Sequence, residues 1–238
     1  LESVDNAEAQ VVNITENPKG ALYVAAPLGV GRRLLAPQVP DFLASYPEVS
    51  IRLRLTDRKV DLTTEGLDLA FFLGTPEDSN LRIRKIADVE RVLCASPAYI
   101  AKHGHPASGD DLINGNHECL NLRFPGATEF HWRLVTPDGP KRFRIAGRYE
   151  SDDGDVLTDW ALAGNGIAMK PVFEVAEHIK AGRLVAVATQ TPPEPIQMAC
   201  LFTHRRRQDP KTRLFMEFVI EKISAAVRDS EKTAQLPR

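Results

Sequence analysis

Apolar residues in this chain fall into short runs whose spacing switches repeatedly between the period of a strand and the period of a helix. Leu22-Tyr23-Val24-Ala25-Ala26 is a short apolar strand, and residues 27–31 form a turn. From Val30 onward, Leu34, Leu35, Val39, Phe42, Leu43 and Tyr46 recur at helical spacing. Pro37 and Pro40 are expected to kink or restart that helix, because each lacks a backbone donor. Val49, Ile51, Leu53 and Leu55 then alternate with Ser50, Arg52 and Arg54, the pattern of a half-buried strand. Asp57 is expected to cap a short helix running to about Glu65 and stopping at Gly66. Residues 69–73 are continuously apolar, which suits a central strand covered on both faces. The alternation of strands and helices predicts a mostly parallel α/β sheet.

A second set of elements follows. Residues 91–95 read as a strand, with Ser96 and Pro97 as the N-cap and first turn of a helix. Residues 103–117 read mostly as polar loop. Residues 131–135 and 142–146 flank Pro137-Asp138-Gly139-Pro140, a turn between paired strands. From Gly154, the residues Val156, Leu157, Trp160, Ala161 and Gly164 mark one helix face. A strand at 167–169 follows, then a helix opened by Pro171 and closed by Gly182, then a strand at 184–188. Thr191-Pro192-Pro193-Glu194-Pro195 is a proline-rich connector that reads as a lobe crossing, followed by an apolar strand at 196–203. Asp209 caps a last helix with Pro210 at its first position, and Leu214, Phe215, Phe218, Val219 and Ile223 make its buried stripe. The polar tail after Asp229 is expected to fray. Residues 1–18 are polar and read as the end of a helix or a linker.

At 238 residues the chain is long enough for one large domain or two lobes of roughly 100 residues each. A net charge of -2 argues against a broad basic face for nucleic acid. No apolar run approaches the roughly 20 residues that span a bilayer, so no membrane association is expected. No signal peptide is visible at the start, which points to the cytoplasm. Cys94, Cys119 and Cys200 are odd in number and far apart, fitting reduced, buried thiols. His103, His105 and His117 lie close in sequence but in a stretch rich in Gly, Asn and Pro, so no metal site is assigned.

No standard catalytic motif is present, and the chain is not expected to be an enzyme or to need a cofactor. Gly29-Val30-Gly31-Arg32-Arg33-Leu34 begins like a dinucleotide loop, but Leu34 stands where a third glycine belongs. Strand ends suited to ligand capture remain. Leu28, Gly29, Val30 and Gly31 lie beyond the first strand, where backbone donors are exposed to ligands in α/β sheets. Thr56 and Asp57 hold the equivalent place after the second. Ser151-Asp152-Asp153-Gly154 opens a helix, and capping explains one of its acids. Lys170 follows the apolar Ile167-Ala168-Met169, so it is expected to point into a crevice or at a partner acid. The basic run Arg205-Arg206-Arg207 reads as a solvated loop.

In their order, several of these stretches resemble the effector-binding domain of LysR-type transcription regulators. They are Gly20-Ala21-Leu22-Tyr23-Val24-Ala25-Ala26-Pro27, Gly31-Arg32-Arg33-Leu34-Leu35-Ala36-Pro37, Phe42-Leu43-Ala44-Ser45-Tyr46-Pro47-Glu48-Val49, Asp57-Arg58-Lys59-Val60-Asp61-Leu62, Glu65-Gly66-Leu67-Asp68-Leu69-Ala70, Val92-Leu93-Cys94-Ala95-Ser96-Pro97-Ala98-Tyr99, Ala163-Gly164-Asn165-Gly166-Ile167-Ala168 and Ala181-Gly182-Arg183-Leu184-Val185. The resemblance covers about residues 20 to 225. It implies an α/β fold of two Rossmann-like lobes joined by two crossover strands, the periplasmic-binding-protein type 2 architecture, with an effector cleft between them. Lobe I would comprise 19–90 and 197–228, lobe II 91–196, with 1–18 the end of a linker helix and 229–238 a C-terminal tail. The implied protein is a cytoplasmic homodimer or homotetramer that binds a small-molecule effector. It would touch DNA only through an N-terminal winged helix-turn-helix lying outside this sequence. The implied self-association sets the helix near 31–46 of one subunit against that near 154–164 of its partner.

Candidate effector-contacting positions are Leu28, Gly29, Val30, Gly31, Thr56, Asp57, Arg123, Asp152, Met169 and Lys170. Two departures bear on the ligand. Many relatives carry Ser where Gly29 stands, leaving only backbone donors here, and many carry Asn-Asp-Gly where this chain has Asp152-Asp153-Gly154, and an apolar residue at Lys170. Asp152 and Lys170 are therefore expected to border the cleft and to pair with each other or with a charged ligand group, since an unpaired charge there is costly. If they pair together, a neutral or weakly polar effector follows; if they stay apart, a zwitterion or a phenolic acid becomes plausible. The alternative reading is a free-standing solute-binding protein of a transport system, on the same fold.

Overall fold

The computed structural model describes residues 18–74, 81–123, 131–203 and 209–236. The expected linker helix, apart from Pro18, and the run Arg205-Arg206-Arg207 lie outside the described residues. The chain divides into two compact units. Among the described residues, unit one holds those up to Ile86 and within Met198–Ser224; unit two holds those within Ala87–Gln197 and from Ala225 to Leu236.

Unit one is built on a five-stranded sheet. Strand β1 (Gly20–Ala26) pairs in parallel with β2 (Val49–Leu55) and with β3 (Leu69–Gly74). With β4 (Arg82–Val89) and β12 (Ile196–Phe202) the order is β2-β1-β3-β12-β4. The central position of β3 explains its uninterrupted apolar start, Leu69, Ala70 and Phe71, all buried. Between β1 and β2 the chain is helical but irregular. One α-turn (Leu28–Val30) leads into a π-helical stretch (Gly31–Leu35), a 3-10 turn (Ala36–Gln38) and helix α1 (Val39–Ser45). The missing donors of Pro37 and Pro40 account for the change of helix type at 36–40. Phe42 is fully buried, with its ring edge-on to Phe215.

The helix expected from Asp57 to Glu65 is absent; residues 62–66 are turns. Asp61, not Asp57, organises them: its carboxylate accepts the Thr63 and Thr64 N–H groups at 2.8 and 3.0 Å, and these bonds, that from Thr64 first, hold its pKa below the ordinary carboxylate range. Gly66, in the left-handed region at φ 65°, ends the turn.

Unit two carries a second sheet, β11-β5-β10-β6-β9. Its strands are β5 (Arg91–Ala95), β6 (Cys119–Leu122), β9 (Tyr149–Ser151), β10 (Ile167–Pro171) and β11 (Val185–Val187). Alternate residues serve two separate apolar layers. Leu93, Ala95, Cys119 and Ile167 pack with Tyr99 and Leu112 and with Trp132, Leu134 and Phe143 of the hairpin β7 (His131–Thr136) and β8 (Gly139–Arg144). Val92, Cys94, Leu120 and Ala168 pack with helices α4 (Gly154–Leu162) and α5 (Val172–Lys180). Helix α2 (Pro97–His103) is capped by Ser96, whose hydroxyl accepts the Tyr99 N–H at 3.3 Å.

Two expectations fail in this part of the chain. The supposed loop at 103–117 contains helix α3 (Gly109–Asn114), started by a capping box in which Ser108 and Asp111 satisfy each other's backbone donors. The last helix, α6 (Pro210–Ala234), does not fray after Asp229, because Val227 and Ala234 are buried and hold its final turns.

Candidate functional site

Strands β1 and β2 end side by side, with Ala26 in register with Leu55, and the residues beyond them form the carboxyl edge of unit one. Thr56 N–H donates to the Ala26 carbonyl at 2.9 Å, which ties the two ends together. Asp57 then turns its carboxylate onto the backbone of Leu28, accepting that N–H at 2.9 Å. Asp57 therefore caps the turn that follows β1 rather than a helix of its own. Thr56 Oγ1 accepts from Arg58 N–H at 3.2 Å. Leu28 and Gly29 are half-buried, while Val30 and Gly31 are buried. A Cβ on Gly31 would lie 2.1 Å from Leu55 Cδ2, so glycine lets the Leu55 side chain of β2 pack close against this turn.

The carboxyl edge of unit two is formed by the ends of β6, β9 and β10. Arg123 N–H donates to the Ser151 carbonyl at 2.8 Å, and its half-exposed guanidinium pairs with Glu150 at 2.8 Å. Asp153 caps α4 by accepting the Asp155 N–H at 2.8 Å, and Asp152 beside it is exposed. Lys170 is only 3% exposed. Its Nζ donates to the Gly154 carbonyl at 2.6 Å and forms an ion pair with Glu174, in the first turn of α5. Any Cβ at residue 154 would stand 2.9 Å from that Nζ, so the glycine makes room for the lysine. The acid partnering Lys170 is thus Glu174; Asp152 faces water. Met169, on the opposite face of β10, is half-buried against the layer of Leu93, Cys119 and Ile167.

Two residues of this edge escape a reading of the sequence. Glu174 lies four residues after Lys170, but Pro171 stands between a strand and a helix, so helical i,i+4 spacing gives no warning of the pair. Asn121 sits in the apolar strand Cys119-Leu120-Asn121-Leu122, where an isolated amide is the only signal. It is 1% exposed, and among the described residues neither its Oδ1 nor its Nδ2 has a hydrogen-bond partner. Strand β10 runs parallel to β6 with Ile167 opposite Cys119 and Ala168 opposite Leu120, so Asn121 is level with Met169 and shares its face.

Other ionisable groups of unit two serve structure. The Tyr99 hydroxyl accepts the Glu118 N–H at 3.0 Å and lies 3.2 Å from His117 Nδ1, while its ring stacks on His103. Burial, then the neighbouring His103, hold His117 below its ordinary pKa, with Asp111 opposing. Burial pushes the thiols of Cys94 and Cys119 up to about 12 and raises that of Cys200, so all three are inert free thiols. Among the described residues, no three His, Cys, Asp or Glu side chains are grouped to hold a metal ion, and no helix is long and apolar enough to cross a membrane.

Comparison with known proteins agrees with this architecture. Residues 15–224 match the family model described as the LysR substrate binding domain. The HTH-type transcriptional regulator DmlR of Escherichia coli K12 is 32% identical over 219 residues, covering 92% of this chain and 70% of that protein. The structure of CrgA, a LysR-type transcriptional regulator from Neisseria meningitidis, superposes with a TM-score of 0.78 at 28% identity, over 93% of this chain and 74% of CrgA. The CrgA regulatory domain alone gives 0.76 at 28% identity, covering 87% of this chain and all of that domain. These relatives are transcriptional regulators, not enzymes, and a transport protein that delivers solutes is not favoured.

Proposed function

We propose that this chain, which belongs to the LysR-type transcription regulators as their effector-binding part, recognises a neutral small molecule at the carboxyl edge of a sheet. The observation that carries this reading is the buried pair Lys170–Glu174. A lone buried lysine would call for an anionic ligand, because an isolated charge away from water is strongly disfavoured. Lys170 already has a carboxylate and a carbonyl as partners, so a bound carboxylate would compete with Glu174 rather than complete the site. The edge of unit one points the same way. Its first free N–H, that of Leu28, is occupied by Asp57, whose charge opposes an incoming anion. Gly29 offers backbone donors alone, and Arg123 is engaged by Glu150.

In this reading the working protein is cytoplasmic, self-associates as a dimer or tetramer, and reaches DNA through a helix-turn-helix domain preceding this stretch. The chain performs no chemistry of its own. The slightly acidic balance of the chain accords with DNA being held elsewhere, since affinity for phosphates needs clustered cations.

Thermal denaturation and native mass spectrometry against a metabolite panel test the ligand class. Stabilisation by uncharged compounds, with one ligand per chain, is the expected result, because a ligand that binds only the folded state raises its stability. Stabilisation by carboxylates alone overturns the neutral-ligand reading. Sedimentation at micromolar concentration is expected to give a dimer or larger; a monomer throughout contradicts the proposed self-association.

A further inference from the structure

We propose that Asn121 is the group that reads a hydroxyl or carboxamide on the effector. The inference rests on the effector-binding reading above and adds a residue and a ligand feature to it. A buried primary amide has two N–H donors and a carbonyl acceptor, and folded proteins almost always satisfy such groups. Here both ends of the amide are enclosed and unpartnered, on a sheet face otherwise given to Leu93, Cys119 and Ile167. An apolar side chain would fill that position without the penalty of an unmade hydrogen bond. The asparagine makes sense once a polar guest is present.

Placement favours a ligand group as that guest. Asn121 is level with Met169 on the same face, two residues before Arg123 at the carboxyl edge where α/β sheets take their ligands. The backbone beside it is fitted with glycine: a Cβ on Gly147 would lie 1.8 Å from the Cys119 carbonyl oxygen and 3.2 Å from Asn121 Nδ2. Glycine at 147 thus lets the backbone pass close to Cys119, beside the amide. A guest able to donate to Oδ1 and accept from Nδ2 is a hydroxyl or a carboxamide. A carboxylate only accepts and would leave Oδ1 unmatched. Water has the same hydrogen-bonding capacity as a hydroxyl, and the test separates the two sources.

The test uses matched probes that differ by one hydroxyl: ribose and 2-deoxyribose, glucose and 2-deoxyglucose, glycerol and 1,2-propanediol, with lactate and propionate as a charged pair. Kd values are measured for the wild type, Asn121→Leu and Asn121→Thr. The wild type is expected to prefer the hydroxylated member of at least one pair by about tenfold or more, since a site built to bond a hydroxyl rejects the analogue lacking it. Asn121→Leu should fold with an unchanged or higher Tm and lose that preference, and Asn121→Thr should keep part of it. A preference that persists in Asn121→Leu overturns the proposal. So does a lower ligand-free Tm in Asn121→Leu with the preference intact, which would assign the amide to a structural water. Binding without any hydroxyl preference sinks the role of Asn121 alone. Preference confined to lactate keeps that role and overturns the neutral-ligand reading, while no binding by any probe counts against both.

Discussion

The carboxyl edges of the two units obey one layout and differ in how their polar groups are satisfied. In unit one the chain closes its own edge with exposed or half-exposed groups: Asp57 takes the Leu28 N–H, and Thr56 takes that of Arg58. In unit two the polar groups go underground. Lys170 is buried on the helix-covered face of β10 with Glu174, and Asn121 is buried on the other face of the sheet with no partner. Polar groups at a half-exposed edge cost little and specify little, whereas buried ones are expensive and therefore discriminating. On the proposed reading, selectivity for a ligand resides mainly in unit two.

The largest expected effect comes from breaking the buried pair. Glu174→Ala leaves Lys170 without its counter-charge and should cost roughly 3–5 kcal/mol in chemical denaturation. The double substitution Lys170→Met with Glu174→Leu should recover to within about 1 kcal/mol of the wild type, because packed apolar groups replace a buried pair at little cost. A Glu174→Ala variant as stable as the wild type would remove the contrast between the edges.

Glycine replacements sharpen the contrast next. Gly147→Ala drives a Cβ into the backbone oxygen of Cys119, which cannot retreat without disturbing β6, and should cost about 3 kcal/mol. Gly31→Ala meets only the end of the Leu55 side chain, which can rotate away, so about 1 kcal/mol is expected. Equal losses would show that unit one packs as rigidly as unit two. Asp57→Ala should cost about 1 kcal/mol, the usual value of a lost helix cap; a loss matching that of Glu174→Ala would contradict the account of unit one.

Much of the fold was legible from hydrophobic periodicity, because strands such as Val49–Leu55 and helices such as Val172–Lys180 each show one clear face. What stayed hidden depends on choices among hydrogen-bond partners. Asp57 and Asp61 are equally good caps in sequence, and only the nearness of β1 to β2 assigns Asp57 to Leu28. Ser108-Gly109-Asp110-Asp111 spells a capping box, but the His, Gly and Pro residues before it masked the short helix. At the site, Lys170 was visible as a charge after an apolar strand, while its partner was not, because Glu174 belongs to the next element. Asn121 required knowing which buried atoms lack partners, a property of packing alone.

The smallest effect is a dependence on pH near neutrality, arising in unit two. His117 Nδ1 lies 3.2 Å from the Tyr99 hydroxyl, which accepts the Glu118 N–H, so the ring is held in a buried, hydrogen-bonded place. Its folded pKa is lowered by burial and by His103, so the unfolded chain binds its proton first as pH falls. Stability is full above the ordinary value of 6.5 and declines as pH drops below it toward the folded pKa. His117→Asn should flatten the decline; an unchanged slope would show that other histidines cause it.

Ionic strength tests the central claim most directly. Titration of the wild-type chain with an uncharged ligand found in the panel, at low and at high salt, should give nearly the same Kd, since an uncharged ligand forms no ion pair for salt to screen. A ligand that binds only as an anion, with affinity falling steeply as salt rises, would mean that Lys170 or Arg123 leaves its carboxylate for the effector, and would contradict the account.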